Sequence, residues 1–287
     1  MPGRSRFVAL VVGVSLVFSL AAAAQSRRTP KFRVWMPTQP TAAAIVAGTT
    51  SQVTVRHWSS SFVFNNKTYH YSMVGANPAN GSSDTTVSTE IQPINFIFSN
   101  GKEIKAGGVV TPLIDSPIFQ KASLPDGYGQ LTDVEQRANF HSIIAANKET
   151  YYIHLGQPAL LSTITVKVPS GSGETQTVAN GTTIGLIDYN FLQSVVGGIL
   201  SSRNFNPTTL PILLAGNVFA YDMMPDNCCI VGFHGADAVH AGQLVTFVFT
   251  AYPSPGVFSG NFEDITAVSH EVAEWMNDPF TNDFVPP

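Results

Sequence analysis

A chain of 287 residues leaves room for one large domain or two small ones, with an ample core. Charged residues make up only 12% of it, well below the roughly 25% usual in soluble proteins, so Ser, Thr, Asn and Gly must carry the surface. Lys and Arg total 15 against 19 Asp and Glu, and the net charge of −4 argues against a nucleic-acid partner.

The chain opens with Arg4 and Arg6, an apolar run from Phe7 to Leu20, and small residues at Ala22-Ala23-Ala24. That order predicts a secretory signal peptide over residues 1–24 rather than a spanning helix. No later stretch is apolar for long enough to make a transmembrane segment after signal cleavage, so the mature chain is expected to be secreted or periplasmic. Residues 25–50 are rich in Pro, Thr and Ala and read as a linker or a loosely packed first strand. Arg27, Arg28, Lys31 and Arg33 give it a basic, mobile character.

A strand pattern begins near Gln52, where Val53 and Val55 alternate with Thr54 and Arg56. Phe62-Val63-Phe64 and Thr68 to Val74 flank Asn65-Asn66-Lys67, a hairpin signal. Ile91 to Phe98 reads as a strand closed by Ser99-Asn100-Gly101-Lys102, and Gly107 to Leu113 as a further strand. Thr132 to Phe140 predicts a helix with Thr132 as N-cap and Glu135 completing a capping box. Thr163 to Val168 and Thr175 to Val178, around Pro169-Ser170-Gly171-Ser172-Gly173, suggest a second hairpin. Phe191, Leu192, Val195, Val196, Ile199 and Leu200 recur at helical spacing within Asp188 to Arg203. Strands are expected at Ile212 to Tyr221, Cys229 to Phe233 and Leu244 to Tyr252. Pro253-Ser254-Pro255-Gly256 then breaks the chain before a last helix starting near Asn261.

The fold class is therefore α+β. A β-rich region with one helix over residues 51–180 precedes a helix-strand-strand-strand-helix domain over residues 181–287. Asn66, Asn80 and Asn180 stand in N-x-S/T sequons and mark surface turns. Cys228 and Cys229 are adjacent. They are either a strained pair, free thiols, or half-bridges to cysteines past residue 287. The chain ends at Phe284-Val285-Pro286-Pro287 with no closing element, which reads as C-terminal truncation.

Chemistry concentrates in Ser269-His270-Glu271-Val272-Ala273-Glu274-Trp275. Residues four apart lie on one face of a helix, so His270 and Glu274 can grip one metal ion from successive turns. Zinc accepts imidazole nitrogen and carboxylate oxygen, and a catalytic site uses three protein ligands plus water. Glu271, beside the first ligand, is placed to act as catalytic base. On the wheel, Ile265, Val268, Val272, Trp275 and Met276 form an apolar face, and His270, Glu271, Glu274 and Asp278 a polar one. A solvated surface helix has the same wheel, so two readings compete. The third ligand is open among His234, at the end of an expected strand, His240, Asp278, which can equally set a turn, and residues past the end of the chain.

SHEVAEWMNDP with its preceding strands resembles the zincin metallopeptidase superfamily over about residues 185–287. The resemblance implies a zinc ion held by His270 and Glu274, Glu271 as base, and a peptide or protein substrate. Glutamate at the second-ligand position departs from the H-E-x-x-H pattern. The tail from Asn277 to Asn282 is similar to the exordium-like secreted proteins, and the N-terminal half resembles exported bacterial proteins. The competing function is a secreted β-rich binding or cell-envelope protein without catalysis. Trp35, Trp58, Tyr69 and Tyr71 would be its carbohydrate platform, although alternating strand aromatics more often belong to a core. No G-x-S-x-G nucleophile turn or phosphate loop is present.

Overall fold

The computed structural model describes residues 30–34, 53–141, 150–240 and 243–283. The expected signal peptide, most of the 25–50 segment and the chain end lie outside these residues. The protein is a mixed α and β structure, mostly β.

The strands in chain order are β1 (Lys31–Val34), β2 (His57–Phe64), β3 (Lys67–Val74), β4 (Ser83–Val87), β5 (Thr89–Ile97) and β6 (Glu103–Ile104). Helix α1 (Gly107–Ile114) is followed by β7 (Ala122–Leu124), β8 (Gly127–Gly129) and α2 (Leu131–Asn139). Next come β9 (Tyr151–Leu155), β10 (Ala159–Leu160), β11 (Ile164–Lys167), β12 (Gly173–Thr177), β13 (Thr183–Asp188) and α3 (Tyr189–Ser202). The last elements are β14 (Leu210–Gly216), β15 (Val218–Tyr221), β16 (Cys228–His240), β17 (Gln243–Tyr252) and α4 (Thr266–Asn277).

An 11-stranded sheet runs β10-β5-β14-β17-β16-β15-β13-β12, with β6 and β11 also on β5 and β1 on β16. One sheet thus joins residues from both halves of the chain. Its central strands are covered on both faces, which explains why β14 is buried throughout and β17 at all but its two ends. Leu213 and Ala215 of β14 point into a cluster with Leu192, Val196 and Leu200 of α3. Ile212 and Leu214 point into another, with Val110 and Leu113 of α1 and Val268, Val272, Trp275 and Met276 of α4. This period-2 alternation sandwiches the sheet between α3 and the pair α1 and α4.

Hairpin β2–β3 forms as the sequence suggests, and Asn65 and Asn66 turn it with φ of 49° and 61°. Asp188 caps α3 by accepting a hydrogen bond from the Phe191 N–H. Other elements differ. Gly107–Ile114 is a helix, not a strand, because Val110 and Leu113, one turn apart, fill a gap over Ile91, Ile212 and Leu214. Packing there overrides the strand preference of Val109-Val110-Thr111. Helix α2 starts at Leu131, with Gln130 in the cap position. Thr132 is wholly buried and caps nothing. β11 and β12 do not pair with each other: β11 lies parallel to β5, where Ile164 and Val166 find apolar cover, and β12 lies antiparallel to β13. Asn217, with φ 35°, splits the expected 212–221 strand so that β14 pairs with β5 and β17 while β15 pairs with β13 and β16. Cys228 and Cys229 are disulfide-bonded to each other across a cis peptide bond.

Candidate metal centre

The site forms where β16 crosses α4. Along β16, Phe233 turns to the α3 side, its ring edge-on to Tyr189 at 5.7 Å. Its neighbours Gly232 and His234 face α4. The last helix starts later than Asn261 because Asn261 and Asp264 take left-handed conformations, with φ of 61° and 50°. From Thr266 it buries Val268, Val272, Trp275 and Met276.

Glu271 departs from the polar-face expectation. It is 0% exposed, lodged over Gly232. His234, 3% exposed, sets its Nδ1 3.2 Å from Glu271 Oε2 and 3.4 Å from Glu274 Oε2. Glu274 also meets His270 Nε2, at 3.0 Å through Oε1. One ligand atom from each of His234, Glu271 and Glu274 lies within 4.8 Å of the other two. This group can hold a metal ion. Glu271 Oε1 and His234 Nε2 are buried without a hydrogen-bond partner, and such orphan atoms are costly unless something else satisfies them.

The charges are strongly coupled. Burial pushes the Glu271 carboxyl up to about 7, although His234 pulls it down. Burial disfavours the His234 imidazolium, yet its hydrogen bonds to Glu271 and Glu274 hold its pKa up at about 9. Burial also disfavours the Glu274 carboxylate, but hydrogen bonds from His234 and His270 hold it down at about 2. His270 is raised, because its bond to Glu274 outweighs the effect of burial. His234 Nδ1 therefore occupies the ground between the Glu271 and Glu274 carboxylates that a cation would take.

The structure brings His234, Glu271 and Glu274 together. It keeps His270 one contact further out, half-exposed and stacked on Phe32 with ring centroids 3.5 Å apart. Asp278 sets the turn after α4, accepting from the backbone N–H groups of Asn282 and Asp283. His240 ends β16, and its side chain lies outside the described set. Of the candidate platform aromatics, Trp58 is buried edge-on to Tyr71, and Trp35 lies outside the described residues.

Sequence reasoning missed two residues of the site. Gly232 matters because a Cβ there would meet Glu271, and Phe32 because β1 pairs with β16 from far along the chain. The only hint of Gly232 was its place, two residues before His234 on an otherwise apolar strand. Comparison of the chain with protein-family models, with curated proteins and with solved structures gives no match.

Proposed function

We propose that the chain is an exported zinc-dependent metallopeptidase-like protein that hydrolyses peptide bonds, with α3, β14–β17 and α4 as a zincin-like core. The observation that carries this reading is Glu271. A carboxylate with no exposure and one oxygen unpartnered, beside His234 and Glu274, is not what a solvated helix face produces.

His234 and Glu274 would supply an imidazole and a carboxylate, donors suited to zinc, with His270 hydrogen-bonded to Glu274 one contact further out. When bound, zinc acidifies a water molecule toward about pH 7 and polarises a carbonyl oxygen. Glu274 orients both histidines through its two oxygens. Glu271 is the general base. Burial raises the affinity of its carboxyl for a proton, which suits it to take one at Oε and return it to the leaving amine. Gly232 leaves the space in which that carboxylate sits.

The competing reading, a non-catalytic secreted binding protein, draws on hairpin β2–β3, where Phe62, Val63 and Phe64 are exposed. Metal content and hydrolysis separate the two. The purified chain should retain about one zinc, lose it in His234→Ala and Glu274→Ala, and cleave an unfolded protein such as casein. Glu271→Gln should keep zinc and lose cleavage. A chain that takes up no zinc at micromolar free metal and cleaves nothing would overturn the metallopeptidase reading.

A further inference from the structure

β1 bears on how a substrate reaches this site. Among the described residues it pairs with β16 alone, parallel, with Phe32 opposite Gly232, Arg33 opposite Phe233 and Val34 opposite His234. Those are the positions of β16 that border the metal centre. An extended peptide adding to this edge would take the same hydrogen bonds, as strand-addition ligands do.

Three side chains tie β1 in place: Lys31 Nζ donates to Asn227 Oδ1 at 2.5 Å, and Phe32 and Arg33 each have the character of a subsite. The Phe32 ring stacks on His270, planes within 20°, and stands edge-on to Phe262 at 6.1 Å. The Arg33 guanidinium pairs with the Asp222 carboxylate and lies 5.5 Å from the centre of the Tyr189 ring. The first makes an aromatic seat over a residue of the catalytic motif. The second makes a seat for a cation, with a carboxylate on one side and a π-face on the other. The charged tie is light. The Arg33 and Asp222 side chains are 41% and 35% exposed, and an ion pair so open to water is worth about 0–1 kcal/mol. β1 itself is only 4 residues long.

We propose that β1 is an internal stand-in for the ligand. The β16 edge takes an extended peptide carrying an aromatic residue followed by a basic one, and β1 occupies that place until it is displaced. The specificity part rests on the metallopeptidase reading, because only then is the bound peptide a substrate. The blocking part does not. Opening the seat raises the fraction of molecules competent to bind a peptide in trans, and the apparent affinity rises in proportion.

The test uses a fluorescein-labelled peptide with the sequence of residues 28–36, titrated into the full chain by fluorescence anisotropy. Arg33→Glu, which sets two carboxylates against each other, should bind this peptide about tenfold tighter than the wild type. Phe32→Ala should act in the same direction and stands in if Arg33→Glu fails to fold. A peptide with Phe32 replaced by Ala or Arg33 by Glu should lose the gain. Equal binding by the wild type and both single variants, or a gain indifferent to peptide sequence, would overturn the proposal. Zinc content is measured on the same samples. Sequence-selective peptide binding without zinc sustains the strand's role and removes the metallopeptidase reading. Zinc without such binding does the reverse.

Discussion

Gly232 and Glu271 share one space: a Cβ on residue 232 would lie 2.6 Å from both Cγ and Oε1 of Glu271. Glu271 is enclosed, so its side chain cannot swing aside into solvent. Gly232→Ala should therefore displace the carboxylate and disturb its contact with His234. We expect about a tenfold or greater loss of zinc affinity, as for other groups that position ligands, and a stability cost of about 1–3 kcal/mol from overpacking. Zinc titration and urea unfolding of the variant measure the two effects separately. Unchanged values in both would show that Glu271 is not held as described.

Metal uptake should release protons. In the metal-free protein the His234 pKa is held up at about 9, so the ring is an imidazolium at pH 7.5, whereas a metal ligand must be neutral. Glu271, raised to about 7, adds a fractional proton. The apparent zinc affinity should climb as pH rises toward about 9 and then level off. Calorimetry at pH 7.5 in two buffers of different ionisation enthalpy should give different heats. Identical heats would mean that no ligand proton is displaced.

Asp283 should leave a mark on stability against pH. Burial first, and then the neighbouring Asp278 charge, push its carboxyl from 3.8 up to about 7, against a hydrogen bond from the Ser72 N–H. Between those pH values the folded chain keeps a proton that the unfolded chain has released. The group thus favours folding at low pH, and that advantage is lost as pH rises through about 7. Asp283→Asn carries no such proton. Its stability should fall less than the wild type's between pH 4 and pH 7 in chemical denaturation at each pH.

Trp275 anchors α4 to the sheet and is 0% exposed. Trp275→Ala should cost about 3–5 kcal/mol, whereas His270→Ala, at a half-exposed position of the same helix, should cost under about 1 kcal/mol. Guanidinium unfolding of the two variants side by side checks the contrast. Similar losses would mean that the helix is not held by its apolar face.

The elements that were legible are those whose own residues determine them. Asn65-Asn66 forms its turn locally, Asp188 caps α3 locally, and the apolar face of α4 follows from helical spacing. The HEVAE motif and His234 fall on the helix and the strand that bring His234, Glu271 and Glu274 together. What the sequence hid depends on distant partners. Glu271 looked like a surface residue because its cover, Gly232, lies on another element. Gly107–Ile114 looked like a strand because β-branched Val109, Val110 and Thr111 favour one, and packing into the gap over β14 outweighed that preference. The second hairpin failed because β5 and β13 offered β11 and β12 better neighbours than each other.

The position of β5 sets an order of events during synthesis. It lies between β14 on one side and β10 and β11 on the other, all in parallel register. The ribosome delivers residues 89–97 long before residues 210–216, so the nascent chain carries Ile91, Ile94 and Phe96 on a strand with an unclaimed edge. Pairing over so great a sequence separation is slow, and an open strand edge is a template for other chains. Until β14 arrives, that edge of β5 is open to pairing with other chains.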